Sequence, residues 1–178
     1  MDYSAFTLTI DGEVDRPARL RWADIEPMLT EQEPVRIECL GAGYRGTHEM
    51  RGVPIIDLLE MAAARDHATN AVFLCADGYS ENFSLLELLE YDAYLGHPDD
   101  DSAPYPLRLC VPGKQGLRLA KWVREMRIVA GDAAGEWDKT GAAGGTPREE
   151  GFASFTSPMA CNIYVSVRKR WWRAPQPG

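Results

Sequence analysis

The apolar stretches of this chain are short, and each stops at a turn signal. FTLTI at 6–10 alternates in strand fashion and runs into Asp11-Gly12, AVFLCA at 71–76 ends at Asp77-Gly78, and LRLCV at 107–111 ends at Pro112-Gly113. VRIECL at 35–40 is broken by Gly41 and Gly43, KWVREMRIV at 121–129 reads as a strand running into Gly131, and Pro17 to Leu20 reads as a short returning strand. Helical spacing is confined to three places: a weak segment from Trp22 to Leu29 with Pro27 near its end, PIIDLLEMAAA with Pro54 at N1, and LLELLEY at 85–91. Strands of mixed spacing joined by a few short helices predict an α+β fold of mixed sheets rather than a doubly wound one.

With 178 residues, 45% hydrophobic and 26% charged, the chain is expected to form one domain, or one domain with an extension, and to bury a good core. The composition assigns residues 1–131 to the core and 132–178 to an extension wrapping it; 131–158 is rich in Gly, Ala, Pro and charge, and CNIYVSV at 161–167 offers an edge strand. A formal net charge of −8 argues against nucleic acid as the main partner, although a local basic patch remains compatible with it. The one dense basic run, RKRWWR at 168–173, reads either as a contact for a membrane or partner or as a solvated tail. The opening MDYSAFTLTIDG has no basic or apolar leader regions and no apolar stretch reaches bilayer length, so the expectation is a cytoplasmic protein without membrane contact.

Cys39, Cys75, Cys110 and Cys161 are widely spaced with no CxxC pair, so structural zinc, an iron–sulfur cluster and a disulfide framework all fit poorly. Cys75 and Cys110 lie inside apolar runs, where a buried inert thiol is the default. Cys39 differs: it closes PVRIECL and is followed at once by the Gly-rich GAGYRG. Further on, PLRLCVPGKQGLRLAKWVREMRIV leads a strand into a loop bearing Gly, Pro, Arg and Lys. A soft thiolate at a strand end, facing fixed cations and exposed amides, suits a metal carried on an anionic organic cofactor. An inert core cysteine is the alternative at the same position. His48, His67 and His97 show no ligand spacing and are expected on the surface or in loops; with none of them placed as a base, a thiol enzyme built on Cys39 is a weak reading.

Taken together, FTLTIDGEVDRP, IEC, GVPIIDLL, DGY, and PLR with VPG and KWV, in that order, resemble the oxidoreductase molybdopterin-binding domain of the sulfite oxidase superfamily, which also includes the catalytic subunits of bacterial methionine sulfoxide reductases. The resemblance covers residues 5–131 and extends to GEWDKTGAAGGTPREEGF, similar to the family's exit segment. It implies a mixed α+β fold around a pterin dithiolene cofactor of molybdenum, or tungsten, with Cys39 as the protein's ligand to the metal. It implies that Arg108 contacts the cofactor's phosphate end with its planar fork of donors, that Gly116, Leu117 and Arg118 hold the pterin tail, and that Lys121 adds charge. Tyr79, in Asp77-Gly78-Tyr79, is the candidate catalytic hydroxyl facing substrate; a plain turn with Tyr79 packed on the core is the alternative. Tyr44, Arg45 and His48 follow Cys39 closely enough to line the pocket.

The chain also departs from the family pattern. Ala103 stands where many members carry a cofactor-contacting His or Asn, Arg118 replaces a lysine, and the Cys39 loop lacks the long insertion of sulfite oxidases. Sulfite oxidation is therefore not expected. The resemblance implies a molybdenum oxidoreductase that transfers an oxygen atom to or from a small substrate (an S- or N-oxide or an oxyanion) and exchanges electrons with a separate redox partner. The alternative is a non-enzymatic binding or partner subunit that keeps the fold without the cofactor, with Asp99–Asp101 or the RKRWWR tail as interface.

Overall fold

The computed structural model describes residues 2–32, 34–39, 44–98, 103–112 and 120–131, and for 35–39, 44 and 45 the backbone alone. Gly116, Leu117, Arg118, Cys161, the Asp99–Asp101 loop and the expected extension with its edge strand lie outside the described residues.

The chain opens with β1 (Thr7–Gly12), in which Leu8 and Ile10 are buried while their neighbours face outward, as a half-buried strand requires. Gly12 ends it at φ +91°, a left-handed backbone that suits glycine. The chain returns as β2 (Ala18–Arg21), antiparallel to β1. The weak helical segment becomes one turn of α-helix, α1 (Trp22–Ile25), followed by a 3₁₀ turn at Glu26–Met28. A short β3 (Thr30–Glu31) precedes the hairpin of β4 (Val35–Cys39) and β5 (Tyr44–His48). Next come β6 (Met50–Pro54) and α2 (Ile55–Ala62), whose buried Ile55, Leu58, Leu59 and Ala62 follow helical spacing. Pro54 is the cap of α2 rather than its first helical residue, and Ala63 closes the helix at φ 51°.

In the second half, β7 (Asn70–Cys75) and β8 (Ser80–Ser84) form a hairpin around the Asp77-Gly78 turn. The Ser84 hydroxyl accepts the Glu87 N–H at 3.0 Å and so caps α3 (Leu85–Glu90). The order is completed by β9 (Tyr94–Pro98), β10 (Arg108–Cys110) and β11 (Val123–Val129).

These strands make two principal sheets, β2-β1-β11-β7-β8 and β10-β9-β6-β3, with β4 and β5 paired to each other. The first sheet is closed by a parallel pairing of β1 with β11, Thr9 opposite Glu125 and Ile10 opposite Met126. This pairing brings the first and last strands of the described residues side by side. Phe73, Phe83, Tyr94, Leu95, Leu59 and Ile128 are among the fully buried side chains that join sheets and helices in a single core.

In the second sheet Gly52 on β6 stands opposite Gly96 on β9, and a Cβ at Gly52 would come 2.9 Å from the Leu95 carbonyl oxygen. The strands lie flush there because neither carries a side chain, and the Tyr94 ring covers the space. His97, expected in a loop, is instead buried on β9. One of its ring nitrogens, Nδ1, lies 2.9 Å from the Pro106 carbonyl, and the ring packs against Trp22 and Tyr3 at centroid distances of 4.9 and 5.7 Å. His67 is exposed, as expected, while His48 is half-buried on β5.

Candidate functional site

A cleft of about 330 Å³ opens where β5, β6 and β10 converge with the 103–105 turn and the segment leading into β11. Its cationic wall is built by backbone pairing. Arg108 on β10 and Lys121 form an antiparallel bridge, flanked by the Leu109 N–H to Ala120 O bond at 2.8 Å and the Val123 N–H to Leu107 O bond at 3.0 Å. Residues directly opposite in an antiparallel pair present their side chains on the same face, and both Arg108 and Lys121 line the cleft. Arg108 is half-buried and Lys121 exposed. His48 contributes a third nitrogen-bearing side chain, and Met50, Leu107 and Trp122 supply the apolar part of the lining. Among the described residues the lining contains no carboxylate. A concavity with two fixed cations, an imidazole and an apolar wall is suited to an anion attached to a flat organic body.

Trp122 follows Lys121 in the left-handed region, at φ 60°, where a non-glycine residue is uncommon. The Ala76 N–H, donating to the Trp122 carbonyl at 2.9 Å, helps to hold it there. That bond ties the cleft to the 76–79 turn. Tyr79 follows, its N–H bonded to Asp77 Oδ1 at 3.1 Å and its hydroxyl donating to Glu81 Oε2 at 2.7 Å. Glu81 is only 1% exposed. The half-buried Tyr79 therefore packs on the core and carries a bonded hydroxyl, with a buried carboxylate behind it. Glu81 escaped the sequence reading, although the alternation in SENFS, with Phe83 inward, puts residue 81 on the inner face.

Cys39 is the last residue of β4 and pairs with Tyr44 at the far end of the hairpin; its side chain lies outside what the structure describes. At the near end His48 pairs with Val35 and lines the cleft. Cys75 and Cys110 are buried free thiols. Burial pushes the Cys75 thiol up to about 12, with the Asp77 and Glu81 carboxylates adding to the effect, and burial pushes Cys110 up to about 12 as well. Neither forms a thiolate at neutral pH. The cleft thus gathers His48, Arg108 and Lys121, with Tyr79 linked to it through Ala76 and Trp122.

A larger concavity of about 460 Å³ lies at the other end of α2, among Asp15, Arg16, Glu60, Arg65 and His67. Its charged groups are committed to one another. Arg65 pairs with Asp15 at 2.9 Å and Glu13 at 3.3 Å, and Glu13 also accepts from His67 at 2.7 Å. It is a solvated ion-pair network rather than a cation-rich cleft.

Comparison with known proteins bears on the chain as a whole. The sequence pattern of the oxidoreductase molybdopterin binding domain matches residues 1–137. The chain belongs to that family. Molybdopterin is the cofactor the family binds. The chain is also 25% identical over 146 residues to a protein of Bacillus subtilis (strain 168) described as "Uncharacterized oxidoreductase YuiH", covering 79% of this chain and 73% of that one. The sulfane dehydrogenase SoxCD from Paracoccus pantotrophus superposes with a TM-score of 0.62 at 22% identity, covering 74% of this chain. The two share the fold, and the match spans 40% of the sulfane dehydrogenase chain. The mixed sheets with short helices are those of this family, as the sequence led one to expect. Among the described residues, no helix is long and apolar enough to cross a membrane.

Proposed function

We propose that the chain is a molybdopterin-dependent oxidoreductase that moves an oxygen atom to or from a small substrate, an S- or N-oxide or an oxyanion, and exchanges electrons with a separate redox protein. The observation that carries this reading is the Arg108–Lys121 cation pair in a cleft whose wall also includes the base of the hairpin ending at Cys39. A cofactor that carries both a phosphate and a dithiolene would offer one group to the cations and one to the thiolate. On this reading Arg108 and Lys121 hold the phosphate, Gly116, Leu117 and Arg118 hold the pterin tail, and Cys39 as a thiolate ligates the metal. When bound, the cofactor supplies the two-electron redox chemistry.

The chain's own residues do the rest. Reducing an S-oxide to the sulfide and water takes up two protons with two electrons, so a proton donor beside the substrate is required. Tyr79 is the candidate donor of one of the two protons, the other coming from solvent; its hydroxyl donates to Glu81 at 2.7 Å and does not line the cleft, so the role requires the side chain to turn away from Glu81 toward the substrate. The apolar side of the cleft, with Met50 and Trp122, limits water around the cofactor.

The test is metal and pterin content after expression in a host that makes the cofactor. Elemental mass spectrometry is expected to find near-stoichiometric molybdenum or tungsten, together with the fluorescent oxidised pterin. Folded protein from such a host with neither metal nor pterin would reject the enzyme reading in favour of a subunit that keeps the fold alone.

A further inference from the structure

The β4–β5 hairpin pairs, among the described strands, only with itself. Val35 stands opposite His48, Ile37 opposite Gly46, and Cys39 opposite Tyr44. By the two-residue period of a ladder, positions 39, 44 and 48 belong to one face of it. The ladder separates its two ends by about 13 Å, four residues at roughly 3.3 Å each. An isolated two-stranded hairpin is marginally stable in water. This one joins the second sheet through Glu49, which leads into β6, and its His48 lines the same cleft as Arg108 and Lys121. Arg108 and Lys121 belong to the body of the domain, locked by the bonds of Leu109 and Val123 described above.

We propose that His48 is a third anion-holding residue of the cleft, and that an anion held between it and the Arg108–Lys121 pair fastens the hairpin to the body and so positions Cys39 at its far end. His48 donates through a ring N–H to an oxygen that Arg108 or Lys121 also contacts, giving the hairpin a second attachment beyond its covalent one. Ala103, with only a methyl group, lines the same cleft. His48 acts on Cys39 through the ladder and is a positioning residue. The inference rests on the proposed cofactor reading for its biological anion, but the coupling itself is a property of the apo chain.

Inorganic phosphate alone is therefore the probe, with hydrogen exchange followed by mass spectrometry on peptides covering 35–48 and, as reference, α2. Exchange in the wild-type hairpin is expected to slow about tenfold at phosphate ten times above its dissociation constant, with α2 changing less. Arg108→Ala is expected to lose both phosphate binding and the slowing. His48→Ala is expected to bind phosphate more weakly and, even when saturated, to show no slowing of the hairpin. His48→Gln, which keeps an N–H donor, restores part of it and separates the lost donor from a folding defect. No phosphate effect on the wild-type hairpin, or undiminished slowing in saturated His48→Ala, overturns the proposal. Phosphate coupling in a protein that never acquires metal or pterin would keep this inference and reject the proposed enzyme; a loaded enzyme without the coupling would do the reverse.

Discussion

Arg108 and Lys121 face each other across an antiparallel bridge, so two cations thirteen residues apart in sequence open onto one cleft. If they hold a phosphate, each charge-assisted hydrogen bond is worth about 1.5–3 kcal/mol, roughly a 10- to 100-fold change in affinity. Arg108→Ala and Lys121→Ala are each expected to lower the pterin retained after dialysis, with the half-buried Arg108 losing more. Arg108→Lys is expected to recover little, because a point charge does not replace a planar fork. Fluorescence of the oxidised pterin measures this. Equal retention in all four proteins would remove the phosphate assignment.

The cysteines divide by environment. Cys39→Ser is expected to abolish molybdenum retention while leaving the circular dichroism unchanged, since a hydroxyl is a poor soft-metal ligand. Cys75→Ser is expected to leave metal content unchanged, because that thiol is buried in β7 and pushed up to about 12 by burial, with the nearby Asp77 and Glu81 adding to it. Full molybdenum in Cys39→Ser protein would show that the ligand lies elsewhere.

Much of this was legible in the sequence, for local reasons. β1, β7 and β11 announce themselves as apolar runs stopped at glycine turns, and α2 by apolar residues at helical spacing. β5, β6 and β9 do not: YRGTH, MRGVP and YLGHP mix glycine with polar residues. They are strands because of what they pair with, as Gly52 opposite Gly96 illustrates. The same gap hid the site's second layer. His48 was expected in a loop close enough to Cys39 to line the pocket, and it does line the cleft, but from a strand paired with Val35, whereas His97 looked exposed until β9 carried it into the core. Arg108 and Lys121 were readable from the family motif, whereas their bridge is a tertiary fact.

Tyr79 offers a test of chemistry against packing. Tyr79→Phe keeps the ring and removes the 2.7 Å bond to Glu81, so a loss of about 1–3 kcal/mol of stability is expected from the buried carboxylate alone. A proton-donor role predicts more: kcat reduced by roughly 100-fold or greater, with KM little changed. Urea denaturation and steady-state kinetics on S-oxides separate the two. A stability loss with normal kcat would return Tyr79 to the core.

Two glycines in left-handed conformations should respond differently to alanine. At Gly12 a Cβ would overlap the Ile128 carbonyl oxygen, which is already bonded to the Glu13 N–H at 2.8 Å. Gly12→Ala is expected to cost about 2–4 kcal/mol, the sum of conformational strain and steric conflict at the β1–β11 pairing. Gly131 has φ +87° but nothing within 4 Å of the added atom, so Gly131→Ala should cost only the conformational preference, about 1–2 kcal/mol. Urea midpoints at unchanged slope measure both, and equal losses would contradict the close approach at Gly12.

The ion-pair network at the end of α2 gives a pH dependence of definite sign. The hydrogen bond from His67 and, after it, the interactions with Arg65 hold the Glu13 carboxyl below its ordinary 4.5. A carboxyl with a lowered folded-state value stabilises the fold above its unfolded-state value, and that contribution disappears as the pH falls through the lower folded-state value. Glu13→Gln is therefore expected to lower the urea midpoint at neutral pH and to match the wild type well below pH 4.5. Because the Glu13 side chain is 35% exposed and its partners Arg65 and His67 are more so, the neutral-pH difference should be small and should shrink further in high salt. A difference between the two proteins that persists undiminished well below pH 4.5 would mean that Glu13 does not act through its ionised carboxylate.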